Sequence, residues 1–92
     1  MQSGVRPMLD RADVVDNLLA LTRQFAPSLP ASDALARSAS LRDAGLTSMA
    51  AVRLMLSIEA VFAIAIPDGE LTPENFATAD SIEALIWRMR AS

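Results

Sequence analysis

Residues 44–63 read AGLTSMAAVRLMLSIEAVFA. From Ser48 onward this run contains neither Gly nor Pro and places apolar residues at helical spacing, so it predicts a helix from about Ser48 to Ala63. At about 100 degrees per residue, Ala51, Leu54, Met55, Ile58, Val61 and Phe62 share one face. That face is wide enough to be the core side of a bundle helix. Met49, Val52, Leu56, Ala60 and Ala63 make a second apolar face, flanked by Arg53 and Glu59. A small bundle does not easily bury both faces of one helix. The second face is therefore expected to be a partner-docking surface beside Ser48, with packing under a loop as the alternative.

The residues just before the helix carry the chemistry. Gly45 permits a tight turn, and Leu46 can anchor the loop end in the core. Thr47 and Ser48 then stand at the mouth of the helix, where unpaired N–H groups and the positive end of the dipole favour a phosphate. A serine at this point can carry a phosphodiester at little electrostatic cost. The plain alternative is that Thr47 or Ser48 is only a helix cap.

Working outward, Val14, Leu18, Leu21 and Phe25 recur on one stripe, widened by Val15 and Leu19, and Pro27 ends that helix. Asp10 is its expected N-cap, with Leu9 and Val14 as a hydrophobic staple. Residues 27–47 read as a long connection tacked to the core by Leu35 and Leu41, with room for a short helix around Ser32–Arg37. Ile64-Ala65-Ile66 leads extended into Pro67. Thr72-Pro73-Glu74 predicts the start of a short helix. Thr78 or Asp80 then caps a last helix with the stripe Ile82, Leu85, Ile86 and Met89, and Arg88 and Arg90 in its final turn. The predicted fold is all-α: a four-helix bundle of three main helices and one short one, with a long loop between the first two. Residues 1–8 are read as a flexible N-terminal segment and 9–92 as one domain.

Composition narrows the function. Apolar residues are 52% of the 92, so disorder is excluded, and aromatics are 4%, so the core must be aliphatic. Eight Arg against eleven Asp plus Glu give net −3, with no basic cluster for nucleic acid. No apolar run is long enough to span a bilayer, and no signal-peptide stretch opens the chain; the expected location is cytoplasmic. There is no Cys, His, Lys or Tyr. That removes disulfides, Cys/His zinc sites, a serine triad, a thiol nucleophile, a Schiff-base lysine and a histidine base. The chain is therefore not expected to be an enzyme, and any reactive group must come from outside it. Asp43, Asp68 and Glu70 lack Ca²⁺-loop spacing and read as solvated surface. Trp87 is expected to cover the bundle edge. Arg37 and Arg42 flank the Ser48 turn in sequence, and solvent is the expected surrounding of both.

The segment Gly45-Leu46-Thr47-Ser48-Met49, followed by Val52, Leu54-Met55-Leu56, Ile58-Glu59, Phe62, Ile64 and Pro67, resembles the acyl carrier protein family. Leu71, Phe76, Thr78 and Ile82 extend the likeness, which covers about residues 9–90. The resemblance implies a 4′-phosphopantetheine arm on Ser48, between Thr47 and Met49, installed by a phosphopantetheinyl transferase. The arm supplies the thiol that this chain lacks, and cargo rides on it as a thioester while partner enzymes do the chemistry.

Two departures refine the likeness. Thr47 stands where many members have Asp, a residue that assists the transferase through its metal. The Ser48 helix carries only Arg53 and Glu59, where fatty-acid carriers are strongly acidic, so long-range steering should be weak. Ala44-Gly45-Leu46-Thr47-Ser48 with the run from Val52 to Glu59 is most similar to the small bacterial aminoacyl carrier proteins. This implies loading with glycine or alanine by an amino acid:carrier protein ligase, a truncated relative of class II seryl-tRNA synthetases. Met49, Val52, Arg53 and Leu56 are the expected ligase contacts, and the expected state is a monomer. An ordinary acyl or polyketide carrier, a peptidyl carrier and an unmodified helical adaptor are the alternatives.

Overall fold

The helix that holds Ser48 forms because both its ends are capped and its apolar face finds partners on either side. In the computed structural model, which describes residues 11–91, the order is α1 (Arg11–Phe25), α2 (Asp33–Ser38), α3 (Ser48–Phe62) and α4 (Ala79–Ala91). A 3-10 turn, Asp68–Glu70, lies between α3 and α4. Helix α1 packs against both α3 and α4, and short α2 rests on α4 and α1. Among the described residues there is no strand, so the bundle is all-α as predicted.

The core is aliphatic. Val14 and Leu18 of α1, Leu54, Met55, Ile58 and Phe62 of α3, and Ile82, Leu85 and Ile86 of α4 are buried together. Each such side chain contributes about 1.5–3 kcal/mol by leaving water. On α1, Leu21 and Phe25 are only half-buried, while Leu19 and Thr22 are buried. The buried stripe is thus rotated from the predicted one. Thr22 tolerates burial because its Oγ1 donates to the Leu18 carbonyl at 2.6 Å. The expected Asp10 cap and Leu9 staple, and the segment 1–8, lie outside the described residues.

The long connection is pinned rather than loose. Ser32 caps α2, and Ala36 packs under it against Leu19 and Ala79. Leu41 is fully buried, its N–H donating to the Ala77 carbonyl at 2.9 Å and its carbonyl accepting from Leu46 N–H at 2.8 Å. Leu35, expected to tack this segment down, is instead 62% exposed. It sits one residue before Ala36, about 100 degrees around a helix that can turn only one narrow face inward. Arg37 bridges α2 to α4, through Asp80 at 2.9 Å and Glu83 at 3.3 Å. The hydrogen bond and the charge of Asp80 raise the Arg37 guanidinium above its ordinary pKa. The Arg37 Nη2 bond to Oε1 and a 3.1 Å bond from Trp87 Nε1 to Oε2 satisfy the buried Glu83 carboxylate.

Beyond α3 the short helix expected at Thr72-Pro73-Glu74 is a single turn. Its cap bond forms, Asn75 N–H to Thr72 Oγ1 at 3.1 Å, but Phe76 dives into the core and ends it. Thr78, the first of the two candidate caps, starts α4: Ser81 N–H donates to Thr78 Oγ1, and Thr78 N–H to Ser81 Oγ, each at 3.0 Å. Arg88 lies by Glu70 and Asn75, and the Arg90 guanidinium is 6.0 Å from the Trp87 ring centroid.

Candidate functional site

The turn into α3 is built around one glycine. Gly45 has φ +104, a conformation that favours glycine, and an added Cβ would sit 3.4 Å from Pro27 Cδ. The neighbouring loop is tied in by Ser28 N–H to the Ala44 carbonyl at 3.0 Å. Leu46 then tucks against the core, as expected, and releases the chain outward.

Thr47 is the N-cap. Its backbone is extended, and its Oγ1 accepts from Ala50 N–H at 3.1 Å. Ser48 is consequently the first helical residue and is relieved of capping. It is exposed, and its hydroxyl makes no hydrogen bond to any described residue. The cap alternative raised for this pair therefore falls on Thr47 alone. The first-turn N–H groups of Ser48 and Met49 have no acceptor among the described residues, which leaves donors and the dipole end beside that hydroxyl.

The second apolar face of α3 is open. Met49 is 68% exposed, Leu56 54% and Val52 40%. Nothing from the long connection covers them, so the packing alternative fails. Val61, assigned from the wheel to the core face, is 41% exposed and belongs with the surface; Leu54, Met55, Ile58 and Phe62 suffice to fill the space facing α1. Arg53 is exposed and has no partner among the described residues. Beside the first turn lies a shallow open groove of about 210 Å³, lined by Gln24, Phe25, Thr47, Met49, Ala50 and Arg53. Gln24 and Phe25 come from the end of α1, and nothing local in sequence signals their presence here.

The remaining candidates lie elsewhere. Arg37 is committed to α4, while Arg42 is exposed in the turn before Ser48. Asp43, Asp68 and Glu70 do not converge; no group of three metal-ligating side chains occurs among the described residues. Trp87 is half-buried over the edge of the bundle, on the face of Glu83 and Arg37. No helix among the described residues is long and apolar enough to cross a membrane.

The chain as a whole is similar to known proteins. The family described as phosphopantetheine attachment site matches residues 20–86. Aminoacyl carrier protein 1 of Bradyrhizobium diazoefficiens is 50% identical over 48 residues, 52% of this chain and 53% of that protein. The aminoacyl carrier protein of Agrobacterium fabrum is 47% identical over 51 residues, 55% of this chain and 61% of that protein. The aligned part thus spans little more than half the length of these relatives. A chain in the crystal structure of an engineered Bradyrhizobium japonicum glycine:[carrier protein] ligase complexed with carrier protein from Agrobacterium tumefaciens and ATP superposes with a TM-score of 0.67 at 34% identity. That superposition covers 82% of this chain and 97% of the other.

Proposed function

The chain belongs to the phosphopantetheine attachment-site family, and from that premise we propose that it is a carrier for an activated small amino acid. The amino acid, glycine or alanine, is held as a thioester on a 4′-phosphopantetheine arm attached at Ser48. A phosphopantetheinyl transferase installs the arm, and an amino acid:carrier protein ligase resembling a truncated class II seryl-tRNA synthetase loads it. The protein itself catalyses nothing, acts in the cytoplasm and works as a monomer. The observation that carries this reading is the uncommitted hydroxyl of Ser48 next to a threonine that has taken over the capping bond.

The residues fit the group. Exposure of Ser48 gives a transferase access to the oxygen, and the first-turn donors of α3 favour a phosphodiester there. The arm supplies a thiol to a chain with no cysteine. Gly45 and Leu46 hold the turn in register, Thr47 keeps the Ser48 hydroxyl free, and Met49 shapes the surface over which the arm leaves. Met49, Val52, Arg53 and Leu56 form the ligase contact. The aminoacyl reading is favoured over a fatty-acid carrier because α3 carries no row of acids, and by the names of the relatives.

Intact-mass spectrometry tests this. Incubation with a transferase and its pantetheine donor should add one arm, and a ligase with ATP and glycine or alanine should then add one aminoacyl group. Ser48→Ala should lose both additions completely yet melt within about 0.5 kcal/mol of the wild type, because Thr47 holds the cap. Modification of the Ser48→Ala protein would refute the attachment site. A wild type that takes the arm but no amino acid would refute the cargo.

A further inference from the structure

Exposed apolar side chains are concentrated on one helix. Of the five large exposed hydrophobic residues among those described, Met49, Val52, Leu56 and Val61 are on α3. The charge on that helix is just as uneven. Glu59, which on a wheel flanks the docking face, has its carboxylate engaged: Oε2 accepts from Ile66 N–H at 2.7 Å. Arg53 is left as the one α3 charge with no described partner. Among the described residues it is also the only charged one lining the groove between the end of α1 and the start of α3. The chain as a whole is acidic, at net −3, yet the surface leading to Ser48 presents a cation set among Met49, Val52 and Leu56.

We propose that the partner that loads the arm docks here with an apolar surface bearing a carboxylate opposite Arg53. This deepens, and rests on, the carrier reading given above. Charge complementarity sets the sign: a cation ringed by apolar side chains is matched by an acid and penalised by a base. Burial of Met49, Val52 and Leu56 supplies most of the affinity, and the single ion pair supplies orientation. Loading should accordingly vary little with ionic strength, since one short-range pair rather than a long-range field is involved.

The test uses the full chain carrying its arm and the Bradyrhizobium japonicum glycine:[carrier protein] ligase as probe. Glycine loading is followed as a function of carrier concentration for the wild type, Arg53→Gln and Arg53→Glu, with thermal melts to show that each variant is folded. Arg53→Glu should raise the KM for the carrier about tenfold or more with kcat nearly unchanged, and Arg53→Gln should raise it less. Raising salt to about 0.5 M should change the wild-type KM by no more than about threefold. An unchanged or lowered KM for Arg53→Glu, in a wild type that loads normally, overturns this inference alone. A wild type carrying the arm that accepts no amino acid overturns the loading reading, and this inference with it.

Discussion

The two ends of α3 are treated in opposite ways. At the C-terminal end the backbone leaves through Ala63 in the left-handed region, φ 56, and Ile64 N–H returns to the Glu59 carbonyl at 3.2 Å. The Glu59 side chain pins Ile66 N–H, and Arg90 Nη1 donates to the Phe62 carbonyl at 3.4 Å. At the N-terminal end a single side chain, Thr47, makes the one cap bond among the described residues, and Ser48 and Met49 are exposed with no hydrogen bond from a described side chain. One end is cross-tied, the other left chemically available. On the carrier reading proposed above, the helix needs a fixed axis and a free first turn, and these two ends supply one each.

Three substitutions can break or sharpen that contrast. The largest effect is expected from Glu59→Ala, which strips the acceptor from a half-buried backbone N–H and should cost about 1–3 kcal/mol in urea unfolding. Glu59→Gln keeps an acceptor oxygen and should cost clearly less; equal losses would show that the Ile66 bond is not what holds this end. Thr47→Ala should cost about 1 kcal/mol and slow arm installation as well, because Ser48 becomes the hydroxyl nearest the vacated cap; Thr47→Ser should restore both. Stability and installation rate read this pair, and a slower rate without a stability loss would separate recognition from capping. The smallest effect is expected at Ala63. Ala63→Gly relieves the left-handed strain, partly offset by the freer unfolded chain, and should raise stability by about 0.5 kcal/mol. A loss there would mean that the αL turn is not strained.

Local pattern made much of this molecule legible. Pro27, Thr47, Pro67 and Thr78 bound elements where their backbone chemistry requires it. The alternation of faces on α3 separated Leu54, Met55, Ile58 and Phe62 from Met49, Val52 and Leu56 correctly. Val61 and Leu35 were misassigned because a wheel shows direction but not whether anything stands opposite. The turn at Thr72–Phe76 bore every mark of a helix start, and only the pull of Phe76 into the core cut it short. At the candidate site, the Gly45-to-Met49 pattern marked the turn and the start of the helix at Ser48. The groove was not, since Gln24 and Phe25 arrive from another helix.

By itself the sequence determined that this is a helical bundle with no Cys, His, Lys or Tyr, and that a serine opens its third helix. These follow from residue chemistry and short-range periodicity, which act within a few residues of where they are written. Only the tertiary structure decided that Thr47, not Ser48, takes the cap, that Glu59 is spent on Ile66, and that, among the described residues, Arg53 alone keeps its charge open beside the apolar face. Those outcomes depend on which groups meet across the folded chain, and a hydrogen bond exists only where both of its partners arrive.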